Sequence, residues 1–213
     1  MDEHLSRKEK ERLFRRNEIL TASAFHFARK GFAKTTIDEI SESAEFGKGT
    51  IYNYFANKEE IYKSIVEEML EGNLALLEVA AEAAPDNLEQ FLSSYTTSLY
   101  KFCFSRLDSF KLLIKELAQL DSENVQIDRS RLREIMEKMH TLISSVFKKE
   151  IEEGKISDFN PEELTMYFNH FIYPALAAQI HCPVRYGDQS EQPLRVLRIF
   201  LRGIYSNSNG ATN

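Results

Sequence analysis

The sequence predicts an all-helical protein of nine helices, and three observations carry that expectation. Gly and Pro are scarce, eight and five in 213 residues, so long stretches run without a breaker. Apolar residues recur three and four apart, as in Ile61, Ile65, Met69, Leu76 and Leu77. Residues suited to cap a helix stand just ahead of these stretches, often with Glu three positions on. With 43% apolar and 28% charged residues, the composition is that of an ordinary globular chain, long enough for one large or two modest domains.

The elements follow in order. Ser6-Arg-Lys-Glu9 is a capping box for a first helix, which carries Ile19, Ala22, Phe25, Phe27 and Ala28 and stops at Gly31. Thr36 with Glu39 caps a short second helix whose Ile37, Ile40 and Ala44 face inward. The chain turns at Ala44-Glu45-Phe46, and Gly47 opens a third helix with Ile51 and Phe55 on its buried side. Asn57-Lys-Glu-Glu60 starts a long fourth helix ending near Pro85, with Gly72 inside it as a candidate bend. Asp86-Asn-Leu-Glu89 caps a fifth, with Leu88, Phe91, Leu92, Tyr95, Leu99 and Phe102 on its apolar side. The sixth is expected near 109–120, a polar loop at 121–128, and the seventh over about 129–153 before Gly154. Asn160-Pro161-Glu-Glu163 starts an eighth that runs to about Ile180 and is expected to kink at Pro174. After a loop at 181–187, Asp188-Gln-Ser-Glu191 opens the ninth, to about Tyr205, and a Ser/Asn/Gly tail at 206–213 reads as disordered.

The second and third helices with their tight corner read as a helix-turn-helix. Stepping 100° per residue from Ile51 and Phe55 puts Gly49, Thr50 and Asn53 on the outward face. Tyr52 and Tyr54 flank them, and Lys48 sits in the first turn. Thr and Asn can hydrogen-bond base edges, Lys and Tyr can reach phosphates, and Gly49 leaves room for a groove wall. The net charge of −6 would by itself argue against nucleic acid, but its distribution is uneven. Residues 1–55 hold ten Lys/Arg against nine Asp/Glu, with Arg7, Lys8, Lys10, Arg12, Arg15 and Arg16 clustered early. A near-neutral head on an acidic remainder fits a modular DNA binder, while the plainer reading of such charges is a solvated helix face.

Thr-Thr-Ile-Asp-Glu-Ile at 35–40, Lys-Gly-Thr-Ile-Tyr-Asn-Tyr-Phe at 48–55 and Asn-Lys-Glu-Glu-Ile-Tyr at 57–62 resemble the N-terminal domain of the TetR family of transcriptional regulators. The match runs from about Arg16 to Ile65. The resemblance implies a helix-turn-helix domain over 1–62, a helical ligand-binding and dimerisation domain over 63–205, and the same helix count. It implies a cytoplasmic homodimer that binds a palindromic operator on double-stranded DNA, acting as a repressor released by a small effector. Thr36, Lys48, Gly49, Thr50, Tyr52, Asn53, Tyr54 and Lys58 are the DNA-contacting residues expected on this basis. Two departures stand out: Glu45 where the family usually has Gly at the corner, and Gly47 where it often has Ser or Thr.

Beyond residue 62 the chain is rich in Phe, Tyr and Met. If an effector cavity exists, the expected lining is Phe91, Tyr95, Leu99, Phe102, Met136, Met139, His140, Ile143, Tyr167, His170 and Phe171, with Tyr95, His140 and His170 as polar handles. The bland alternative for each is a helical core. Such a lining suits a largely apolar or aromatic ligand. The last two helices carry apolar stripes, Phe168, Phe171, Ala175 and Leu176 on one and Leu197, Phe200 and Ile204 on the other. The family implies that this pair forms a dimer bundle, and intrachain packing is the competing reading.

No Gly-rich phosphate loop, H-E-x-x-H or nucleophile elbow is present, so no enzyme class is suggested and no cofactor or metal is expected. Cys103 and Cys182 lie far apart without metal-ligand spacing, which suits a reducing compartment. The charged first 16 residues do not read as a signal peptide, and no apolar run approaches the ~18 residues that span a bilayer. Two other functions stay open from the sequence: an activator or ligand-independent DNA binder of the same fold, or a helical small-molecule-binding protein or enzyme with a vestigial helix-turn-helix.

Overall fold

The computed structural model describes residues 6–84, 86–118, 129–157, 159–181 and 191–205. Among them are nine helices and no strand: α1 Arg7–Lys30, α2 Ile37–Ser43, α3 Lys48–Tyr52, α4 Lys58–Ala83, α5 Leu88–Ser105, α6 Leu107–Leu117, α7 Ser130–Glu152, α8 Pro161–His181 and α9 Gln192–Tyr205. The expected loop at 121–128, most of the one after α8 and the tail at 206–213 lie outside the described residues.

Packing groups the chain into two compact units. The first takes residues up to Met69 together with α6; the second takes the chain from Leu70 through α5, then α7, α8 and α9. The chain passes between them inside α4, so one helix belongs to both. A division at Tyr62 concerns which residues meet DNA, and it remains a functional proposal. By packing, α6 goes with the first unit because its buried Phe110, Leu112 and Leu113 give it an apolar face, and it lies along α1.

In the first unit, Ile19, Phe27, Ile40, Ile51, Phe55, Ile61 and Ile65 are sealed from solvent. Phe27, Phe32 and Tyr62 meet as a triad with ring centroids 5.4–5.7 Å apart. Tyr62 also donates from its hydroxyl to the buried Glu116 on α6, at 3.3 Å. Phe25, expected on the apolar side of α1, is instead partly exposed beneath the guanidinium of Arg29, 3.9 Å from its ring centroid. In the second unit a ring cluster of Phe147, Phe168 and Phe200 has centroids 5.6–6.4 Å apart. Glu150 on α7 is buried but paired, accepting from Tyr205 at 2.9 Å and from Lys155 at 3.1 Å.

Most helix starts follow the sequence. Ser6 with Glu9 and Thr36 with Glu39 form complete capping boxes. Asn57, Asn87 and Asn160 accept from the backbone N–H three residues on, at 2.8, 2.9 and 2.7 Å. Three boundaries differ. α3 closes at Tyr52 rather than reaching Phe55, because Asn53, Tyr54 and Phe55 fold back onto the carbonyls of Gly49, Thr50 and Ile51 as a turn. α6 begins two residues before the position expected. α8 continues through Pro174, whose missing N–H falls on an exposed part of the helix.

Candidate nucleic-acid interface

The corner between α2 and α3 is built from backbone geometry the sequence supplies. The Phe46 N–H donates to the Ser41 carbonyl at 3.0 Å and that of Glu45 to the Glu42 carbonyl at 3.2 Å. Glu45 closes the turn at φ 56°, the one described non-glycine residue in the left-handed region. The corner therefore keeps its tight form without glycine, at a backbone cost of about 1–2 kcal/mol.

At the start of α2, Thr36 accepts from the Glu39 N–H at 3.3 Å while the Thr36 N–H donates to the Glu39 carboxylate at 2.9 Å. Lys30 pairs with the same carboxylate. The Lys30 contact, then the Thr36 N–H, hold the Glu39 carboxyl down to about 2. Because this folded value is depressed, the associated stability is present above the ordinary value of 4.5 and is lost as pH falls from there towards 2.

The short α3 shows an open face. Gly47, Lys48, Gly49, Tyr52 and Asn53 are exposed, while Thr50 and Tyr54 are half-buried. A Cβ built on Gly49 would meet nothing within 4 Å, and the same holds for Gly47. No packing in the protein thus demands glycine at either position. Lys48 pairs across the corner with Asp38, both side chains being well exposed. Seven of the eight residues expected to face a duplex share this region with open or partly open side chains.

Lys58 is placed otherwise. Its ammonium donates to the carbonyls of Phe32 and Thr35, both at 2.8 Å, and lies 4.5 Å from the Phe32 ring centroid. It clamps the loop that leads into α2 rather than reaching outward. Two roles in this region were not legible in the sequence. Arg15 lies over the Phe46 ring at the corner, 5.9 Å from its centroid. Arg16 lies 5.3 Å from the Phe55 centroid and pairs with Glu68. Both belong to the early basic cluster, where only their charge was apparent.

In the second unit, the expected cavity residues separate into three sets. Phe91, Tyr95, Leu99, Met139 and Ile143 are buried core, and Phe102 and Met136 are half-buried. Tyr167, His170 and Phe171 are exposed, so they face outward on α8. His140 and His170 do come together, lining with Asn160, Glu162, Met166 and Asn169 a surface groove of about 470 Å³. Of the residues expected at a dimer interface, Phe168, Leu176, Leu197, Phe200 and Ile204 are buried in this chain's own core; Phe171 is 44% exposed and Ala175 half-buried. The apolar surface left open on these helices is Met166, Tyr167 and Phe171 on α8 and Ile199 on α9, the last 64% exposed. Among the described residues no group of three or more His, Cys, Asp or Glu is placed to hold a metal, and no helix is long and apolar enough to cross a membrane.

Comparison with known proteins bears on this arrangement. The family model described as bacterial regulatory proteins, tetR family, matches residues 19–65, which span the end of α1, the corner and the start of α4. The chain is 30% identical to the HTH-type transcriptional regulator YhgD of Bacillus subtilis, over 76% of this chain and 82% of that one. It is 29% identical to IcaR of Staphylococcus epidermidis, named as the negative transcriptional regulator of the biofilm operon icaADBC, over 59% of this chain and 65% of that one. Among solved structures, the regulator FadR of Bacillus subtilis in complex with stearoyl-CoA superposes with a TM-score of 0.66 at 18% identity, covering 88% of this chain and 98% of that one.

Proposed function

We propose, for a chain that belongs to the TetR family of bacterial transcriptional regulators, that it is a homodimeric repressor released from a palindromic operator by a small, largely apolar ligand. The observation that carries the DNA reading is the α3 face itself. Glycine in a helix costs about 1 kcal/mol relative to alanine. Gly49 accepts that cost where nothing in the protein needs the space. A groove wall pressed against α3 would need it.

Repression accords with IcaR, named as a negative regulator, and a ligand accords with FadR, whose fold holds stearoyl-CoA. Dimerisation draws on the exposed Tyr167, Phe171 and Ile199, an apolar set on the two helices that the family uses for this purpose. One α3 reads only a few base pairs, so two copies on a two-fold axis are needed for useful specificity.

Gly49→Ala tests the reading. The variant should melt at or above the wild-type temperature and lose at least tenfold in affinity for duplexes that the wild type selects. Unchanged DNA binding would remove α3 from the interface.

A further inference from the structure

Within the apolar interior of the second unit lies one cluster of uncharged polar groups. Asn73 of α4 is 1% exposed, Tyr95 of α5 is fully buried, and Tyr173 of α8 is half-buried. The Tyr95 hydroxyl donates to Asn73 Oδ1 at 2.9 Å, and Asn73 Nδ2 donates to the Tyr173 hydroxyl at 2.5 Å. The two phenol oxygens are 3.3 Å apart. That separation is long for an O–H···O bond, whose usual range is about 2.5–3.0 Å.

A proton count shows what the cluster lacks. Tyr95 spends its proton on the Asn73 oxygen, and Tyr173 accepts from the amide nitrogen. The Tyr173 proton is left with only the distant Tyr95 oxygen. Exchanging the amide oxygen and nitrogen swaps the two tyrosines and still leaves one phenol proton poorly used. The trio therefore holds a spare donor and no well-placed acceptor for it. Buried donors in proteins are rarely left so.

We infer that this cluster is the polar subsite of the effector, and that it takes an uncharged, otherwise apolar molecule carrying a carbonyl or similar acceptor atom. This rests on the ligand-responsive reading above and names its ligand class. A carbonyl oxygen accepts the spare phenol proton and needs no counter-charge. A carboxylate would have to be desolvated beside groups that carry no positive charge, which is costly. The surroundings suit an apolar remainder: Tyr95 stacks on Phe91, centroids 6.5 Å apart, and lies 6.2 Å from Phe168. Burial pushes the Tyr95 phenol well up and the Cys103 thiol to about 12, so both stay neutral.

The subsite also sits on the right helix. Asn73 follows Gly72, and a Cβ on Gly72 would overlap the ring of Phe102. Phe102, half-buried, thus rests directly on the α4 backbone beside the cluster. A ligand that draws Tyr173 away from Asn73 acts on α4, the helix that also supplies Ile61 and Ile65 to the core of the first unit.

The test uses the full chain and Nile red, a neutral, fluorescent, carbonyl-bearing apolar dye. Bound dye is displaced with 2-decanone or with decanoate, which share chain length and differ in charge. The ketone should displace the dye at a concentration at least about tenfold lower, and Tyr173→Phe should erase that advantage without lowering the melting temperature; one neutral hydrogen bond is worth roughly that factor. Tyr167→Phe, on the surface, should leave it intact. Displacement by decanoate as readily as by ketone would overturn the ligand class while leaving a ligand-responsive protein. An advantage that survives in both Tyr173→Phe and Tyr95→Phe would make the cluster plain core. No dye binding at all would overturn the ligand-responsive reading and this inference together.

Discussion

Lys58 shows how one side chain can look like a contact and serve as a clamp. Its position in Asn57-Lys-Glu-Glu60 suggests a phosphate contact, yet its ammonium is spent on two carbonyls of the loop before α2. Lys58→Ala should therefore lower stability, by about 1–3 kcal/mol for charged hydrogen bonds to backbone, in a thermal or denaturant melt. The salt slope of DNA binding should stay nearly unchanged. A slope reduced by about one ion, with stability intact, would instead return Lys58 to the phosphate-contacting set. Residue detail was unevenly legible in the sequence. Thr36, Glu39 and Glu45 were readable because capping and turn chemistry act over three or four residues. The Lys58 clamp spans 23 and 26 residues, and no local pattern encodes it. Asn73 left a faint sign: an amide within the apolar stripe of a long helix, next to a glycine.

At the scale of elements, α8 and α9 each carry apolar residues around much of their circumference. Sequence periodicity shows such a wide stripe but not which part faces the chain's own core. Phe168, Leu176, Leu197 and Phe200 fill that core, and Tyr167, Phe171 and Ile199 remain outside it. The offset between Phe168 and Phe171 is three residues, enough to move from one side of the stripe to the other. Phe171→Asp should thus leave the fold intact and give a monomer by sedimentation at micromolar concentration. Phe168→Asp should unfold the protein, since it places a charge in a sealed ring cluster. A Phe171→Asp protein that stays dimeric would move the interface off this surface. α6 carries a related lesson: its apolar face was plain in the sequence, but its partner, α1, was not.

For the whole molecule, nine helices and their order were legible because capping residues and glycine stops mark almost every end. The two units are joined inside α4, with Met69 in one and Leu70 in the other. A ligand can shift DNA affinity only by preferring the state that binds DNA less well, and bound operator must then weaken the ligand by the same factor. The net charge of −6 makes nonspecific attraction to DNA weak, so specificity has to come from two recognition helices reading together.

The central claim is that this chain reads DNA as a symmetric pair through α3. The most direct measurement is selection of bound duplexes from a random pool, followed by binding stoichiometry and salt dependence on the enriched sequence. The account predicts an inverted repeat with half-site centres about one helical turn, ~34–36 Å, or a multiple of it apart. It predicts an even number of chains per duplex and affinity that falls steeply with salt. Enrichment of a single unrepeated site bound by one chain, or no enrichment at all, would contradict it.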